Sequence, residues 1–240
     1  MKSPRTLAHA AGRNTALPAG PMERFAGYGI MGVTFSSGHV LALRRFAASS
    51  IGPPYNAVWL RDPAGKWTIF STVAPGVSCA RYFGSGLEQA PVAKVSVHWD
   101  GPASFTVRVE GPTELTWDVE LTETAVTRLM SGICGAVPEK LWRNTVFLSA
   151  MGLVAGPMMQ AGKIGLTGKV PNRQSFQARP QRIWFVSSSR ARLDGKDLGN
   201  MGPLPLQDRL GDFWIPQRGI FMIGTSLFDV LDPQHHILTE

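Results

Sequence analysis

Three consecutive segments between residues 92 and 122 alternate between apolar and polar positions. Successive side chains of a strand point to opposite faces, so each segment predicts a strand with one apolar and one polar face. The apolar positions are Val95, Val97 and Trp99, then Phe105, Val107 and Val109, then Leu115, Trp117, Val119 and Leu121. The segments are separated by Gly101-Pro102 and Gly111-Pro112, which are typical of turns. The pattern predicts an antiparallel three-stranded meander.

Two hairpins are indicated before this meander. The first joins segments 28–35 and 39–44 through Ser36-Ser37-Gly38, and the second joins 56–61 and 66–71 through Asp62-Pro63-Ala64-Gly65. The second loop is typical of a type I turn, with Pro at the second position and Gly at the fourth. At least six strands are thus joined by short connections without a helix. We expect a mainly β protein, built as an antiparallel meander barrel or sandwich.

The pattern divides the chain into four parts. We expect an N-terminal arm at 1–20, a first β unit at 21–125, a helical connection at 126–162 and a second β unit at 163–240. The two β-rich halves are expected to pack together as one compact protein.

The helical connection contains an uncharged stretch, Asn144 to Gly162, about as long as a membrane-spanning helix. Gly152, Gly156 and Pro157 interrupt it, and a proline inside a helix stops or kinks it. We therefore favour a buried helix that caps the β structure over contact with a membrane surface.

Composition excludes several classes of function. The formal net charge is +7, but the basic residues are dispersed apart from small clusters such as Arg44-Arg45, so we expect no nucleic-acid partner. The two cysteines, Cys79 and Cys134, form neither a metal motif nor a disulfide framework. The N-terminal residues lack a secretory signal, and we expect a cytoplasmic protein with reduced cysteines.

No known catalytic motif is present, and the five histidines are too dispersed to predict a metal site, so we expect neither a metal nor another cofactor. We expect Val97 to pair with Phe105 across the first meander turn. The polar face then collects four titratable side chains: His98, Arg108, Asp118 and Glu120. This set suits acid–base chemistry, but a solvated face with cross-strand charge pairs has the same composition. Because the aromatic residues of these strands must face a core, we favour the solvated face.

Polar residues among apolar ones are better candidates for a pocket. His39 is in phase with two leucines of its strand, and Tyr55 precedes another apolar strand; each can place one hydrogen bond in an apolar cavity. The expected cavity walls are aromatic residues on strands: Trp59, Trp99, Phe105, Trp117 and Trp184. Large rings on the inner face of a barrel either fill it or leave a slot for an apolar ligand.

The layout resembles the lipocalin-like proteins related to carotenoid hydratases, with tryptophan-bearing strands such as Asn56–Arg61 and Arg182–Ser187. The resemblance implies a lipocalin-like barrel that binds a small hydrophobic molecule of isoprenoid or polyketide type. It also implies an alternative, an enzyme that hydrates, isomerises or cyclises such a ligand. That chemistry needs a carboxylic acid in an apolar site, and the sequence pattern does not clearly predict a buried aspartate or glutamate. We therefore rank binding first, catalysis second, and a membrane-surface or protein-interaction module third.

Overall fold

A computed structural model describes residues 2–238. The helices are α1 (Pro4–Arg13), α2 (Ala80–Phe83), α3 (Ala125–Ala136) and α4 (Thr145–Met159). The strands are β1 (Glu23–Thr34), β2 (Val40–Ser49), β3 (Tyr55–Arg61), β4 (Trp67–Ser71), β5 (Lys94–Trp99), β6 (Ser104–Glu110), β7 (Leu115–Thr122), β8 (Thr167–Lys169), β9 (Ser175–Leu193), β10 (Lys196–Asp197), β11 (Arg209–Leu210), β12 (Phe213–Trp214) and β13 (Ile220–Phe228).

One antiparallel sheet dominates the described residues, with its main strands in the order β4-β3-β2-β1-β13-β9-β7-β6-β5. The short strands β8 and β10 pair with β9, and β11 and β12 form a separate hairpin. Parallel bridges from Thr68 to Gln89 and from Ser71 to Val92 connect β4 to the segment that leads into β5. The sheet therefore curls into a nearly closed barrel. The mainly β, lipocalin-like expectation is confirmed, and strands from both sides of the helical connection share this sheet.

The barrel interior is filled by apolar side chains. The apolar phase of the meander lies there, with Phe105, Val107 and Trp117 at most 1% exposed. Trp117 also donates a hydrogen bond from Nε1 to Oγ of Ser189, 2.7 Å away, so its one polar atom is satisfied. The polar phase faces solvent, as expected, because His98, Arg108, Asp118 and Glu120 are all exposed.

The expected register at the first meander turn was wrong by two residues. Val97 pairs with Val107, and Trp99 pairs with Phe105. The turn is wider than expected because the amides of Asp100 and Gly101 both donate to the carbonyl of Ser104. A shift of two residues leaves every side chain on its original face, so the apolar and polar faces were still assigned correctly.

Within the expected arm at 1–20, residues Pro4–Arg13 form α1. Ser3 caps this helix, since its side chain accepts a hydrogen bond from the amide of Thr6. Ala8 is fully buried in the same apolar cluster as Trp99, and the amide of Arg5 donates to the carbonyl of Pro102. The helix thus covers one end of the barrel.

The helices of the 126–162 connection lie outside the barrel. α3 packs against β9, where Oγ of Ser131 accepts a 2.9 Å hydrogen bond from the amide of Ile183. α4 buries one side only, through residues such as Leu148 and Ala155, whereas Leu153 is 77% exposed. The expected burial of this helix is therefore found on one side of α4 and not on the other. No helix within residues 2–238 is both long enough and apolar enough to cross a lipid bilayer.

We predict that Gly29→Ala destabilises the protein by about 2 kcal/mol or more, because the new methyl group would overlap the carbonyl oxygen of Leu43 on the neighbouring strand. Urea unfolding would measure the change. Gly132→Ala on α3 is the control: this site is exposed with open space around it, so the helix should gain up to about 1 kcal/mol. Equal unfolding midpoints for the two variants would contradict the tight strand packing.

Candidate functional site

The sheet is buried on both faces along β1, β2 and β3. Its outer face is covered by two irregular segments, residues 73–87 and 199–218, which contribute Tyr82, Phe83 and Phe213 to the same apolar cluster as Trp59. Opposite this cover, three glycines on β1 and β13 present bare backbone: Gly27, Gly29 and Gly224. Because glycine has no side chain, space remains between the sheet and its cover.

Three small chambers occupy this space. The inner chamber has a volume of about 30 Å³ and is lined by Tyr55, Trp59, Cys79 and other residues. The middle chamber, about 40 Å³, lies over the three glycines. The outer chamber, about 60 Å³, reaches Met159 at the end of α4. Phe213 lines all three chambers, so its ring lies where they adjoin.

A groove of about 640 Å³ opens beside the outer chamber. One wall is α4, and the opposite wall is the segment from Gln160 to Thr167 together with Gln207, Asp212 and Trp214. Ile164, Gly165, Leu166 and Trp214 line both the groove and the outer chamber. The groove and the three chambers thus follow one another along the outer face of the sheet.

Two cations contact the Trp214 ring at the groove, and the side-chain amide of Gln207 fixes the backbone of one of them. Nζ of Lys163 lies 4.7 Å from the centre of its ring, and the guanidinium of Arg209 lies 5.1 Å from it. The side chain of Gln207 accepts from the amide of Lys163 at 2.8 Å and donates to the carbonyl of the same residue at 2.8 Å. These contacts fix the wall of the groove opposite α4.

Arg44 lies between the inner and middle chambers and is only 6% exposed. Its Nη1 donates to the carbonyl oxygens of Ile30 and Leu43, whereas its buried Nη2 has no hydrogen-bond partner. The guanidinium carbon lies 4.8 Å from the Trp59 ring and 5.5 Å from the Phe213 ring. Burial lowers the pKa of Arg44 to about 10, so the side chain remains charged at neutral pH.

Tyr55 and Cys79 face this charge in the inner chamber. Oη of Tyr55 and Sγ of Cys79 are 3.2 Å apart, and both side chains are buried. Burial raises the pKa of the phenol and of the thiol, so both groups are neutral at pH 7. No carboxylate within residues 2–238 forms an ion pair with Arg44. The positive charge therefore has aromatic faces around it and no anionic partner in the described chain.

One carboxylate is buried nearby, contrary to the expectation from the sequence. Glu23 is 7% exposed, and its oxygens accept 2.6 Å hydrogen bonds from Nη2 of Arg81 and Oη of Tyr82. Nε2 of Gln174 also approaches Glu23, at 3.3 Å. This network fastens the 73–87 cover to the start of β1. Because the carboxylate is ion-paired and lines none of the chambers, it is not placed to protonate a ligand there.

The structure divides the seven residues expected to form the pocket. Four of them lie in the barrel interior: Trp99, Phe105, Trp117 and Trp184. Trp59 and Tyr55 lie outside the barrel, in the inner chamber. His39 lies at the turn before β2, where Nδ1 is 2.9 Å from Oγ of Ser37, and partial burial lowers the pKa of its imidazole.

Arg44, Cys79 and Phe213 were not identified as site residues from the sequence. The local signal for Arg44 was its position on the same strand face as Ala42 and Phe46, in a segment that is apolar from Val40 to Ala48 apart from Arg44 and Arg45. Among the described residues, no three metal-ligating side chains cluster as a metal site would require.

Comparison with known proteins adds no functional assignment. No model of a known protein family matches the chain, and no curated protein matches its sequence.

Proposed function

We propose that this protein binds a small hydrophobic molecule in the groove and the chambers behind it. The observation that carries the proposal is the continuity of the groove with the aromatic chambers through shared lining residues. Ligand sites are concave, mostly apolar, and commonly about 300 to 1,000 Å³ in volume, and the groove lies in this range.

The proposed site is on the outer side of the barrel sheet, not in its interior. The interior is occupied by closely packed side chains, among them Trp117 and Phe105. The outer site uses Trp59 and Tyr55 of the seven residues expected from the sequence. An isoprenoid-like or polyketide-like ligand and a cytoplasmic location stay predictions from the sequence and its resemblance.

Hydration, isomerisation or cyclisation of the ligand would require an acid at the reacting carbon atoms. Within residues 2–238, no carboxyl group lines the three chambers, and the acid that lines the groove, Asp212, is half-exposed and accepts a hydrogen bond from the amide of Lys169. Binding without chemistry is therefore the better supported function, and the enzymatic alternative stays a prediction.

We predict that Ser149→Trp weakens binding of dodecan-1-ol by about 10-fold or more, because the indole would occupy the groove that Ser149 lines. Isothermal titration calorimetry measures the affinity. Ala150→Trp is the matched control, since Ala150 is exposed on the same helix but does not line the groove. If both variants bind the alcohol as the original protein does, or if the original protein does not bind it, the groove is not the ligand site.

The exposed side of α4 favours a second candidate function, docking to an anionic membrane surface. Val146 and Leu153 are each 77% exposed and Val154 is 58% exposed, an unusual concentration of apolar surface on one helix. The segments that precede and follow α4 carry further exposed cations: Arg128 on α3, Lys140 before α4 and Lys163 after it. Apolar side chains flanked by cations suit the interface of a membrane with anionic lipids.

We predict that the protein co-sediments with vesicles of phosphatidylglycerol and phosphatidylcholine, and less with phosphatidylcholine alone. The double variant V146D/V154D should lose this binding, because charged side chains do not enter the apolar boundary of the bilayer. The double variant V92D/L206D is the control, since it changes the charge equally at two exposed apolar positions outside α4. Equal binding by both variants would contradict docking through α4.

A further inference from the structure

We propose that the ligand is a monocarboxylate and that Arg44 binds its carboxylate group. This inference rests on the proposed function, because it names the chemical class of the ligand that the groove and the chambers take. The combination that carries it is a charged guanidinium with an unused donor edge inside an otherwise apolar site.

The unused edge of Arg44 is the first observation. Its Nη1 is bonded to two strand carbonyls, which hold the guanidinium against the sheet, while Nη2 is buried with no partner. A buried charge is unfavourable unless it is paired, and the aromatic faces of Trp59 and Phe213 compensate for it only in part. An anion bound at Nη2 would supply the missing partner.

The surroundings of Arg44 specify the kind of anion. The adjoining inner and middle chambers hold about 30 and 40 Å³, room for a small planar head group. Trp59 also lines the inner chamber, where its Nε1 has only the weakly accepting Cys79 thiol as a partner and offers a second donor. Among the described residues that line the three chambers, Arg44 is the only cation. A single guanidinium beside small chambers suits a singly charged carboxylate better than a larger, doubly charged phosphate.

The apolar part of the ligand would extend from Arg44 towards the groove. The middle and outer chambers share Met31, Ala178, Phe213 and Met222, so an acyl or isoprenoid chain could run between them over apolar surface. Phe213 lies where the chambers adjoin and belongs to the two-residue strand β12, which pairs with β11 alone. We expect a ligand that extends from the groove to Arg44 to displace the Phe213 ring.

The test compares two ligands of equal chain length, dodecanoate and dodecan-1-ol, by isothermal titration calorimetry at pH 8. We expect the original protein to bind dodecanoate about 10- to 100-fold more tightly than dodecan-1-ol, the range of a hydrogen bond to a charged group. Arg44→Met should abolish this preference, so that the variant binds dodecanoate no more tightly than it binds dodecan-1-ol. Arg108→Met, which removes an exposed positive charge from the meander, should keep the preference.

Each outcome decides between the claims. Binding of both ligands with equal affinity by the original protein overturns the role of Arg44 and leaves the proposed function standing. Binding of neither ligand overturns both. Loss of the preference in Arg108→Met as well shows that net charge, not Arg44, selects the anion.

A second measurement does not depend on the folding of an Arg44 variant. Methyl dodecanoate and dodecylammonium, tested on the original protein, should bind no more tightly than dodecan-1-ol, because neither presents an anion to the guanidinium. Tight binding of the ammonium compound would overturn the inference. Phe213→Ala should speed the association of dodecanoate in stopped-flow measurements, and an unchanged rate would place the carboxylate elsewhere than behind this ring.

Discussion

Burial of the sheet on both faces is the constraint on which the rest of this structure depends. A barrel needs only one apolar face, and the meander β5–β7 follows that rule with a polar outer face. β1, β2 and β3 are buried on both faces, so other parts of the chain must cover their outer face. The 73–87 and 199–218 segments provide this cover, and α3 and α4 pack beside it against β9 and β13. The candidate site lies at the junction between sheet and cover, where glycines leave space.

This arrangement explains why the site contains a charge. Arg44 occupies an outward-facing position on β2, opposite Gly29 of β1, and its guanidinium reaches the Ile30 carbonyl across the glycine surface. Inside the barrel such a charge would meet a closely packed interior. Under the cover it meets aromatic rings on one side and the chambers on the other. The same glycines that allow close strand packing thus leave the guanidinium one open edge.

The sequence predicted the fold better than the site, for a physical reason. The alternation of apolar and polar residues in the meander is strong because one face of these strands is exposed to solvent. The faces of His98 and Trp117 were therefore assigned correctly even with a register error. On β1–β3 both faces are buried and mostly apolar, so periodicity cannot distinguish the inside of the barrel from the outside. Trp59 and Trp184 were therefore grouped into one cavity, although they lie on opposite faces of the sheet. The pairing of Arg44 with Gly29 and the position of Phe213 depend on contacts between distant parts of the chain, which no local pattern contains.

In the proposed complex, the ligand lies between the outer face of the sheet and its cover, with its head group at Arg44. A crystal structure of the full chain grown with dodecanoate tests it most directly. We expect a carboxylate oxygen about 2.8 Å from Nη2 of Arg44, with the alkyl chain passing the displaced Phe213 ring towards the groove beside α4. Dodecanoate inside the barrel next to Trp99 and Trp117, or bound only at the protein surface, would contradict the account.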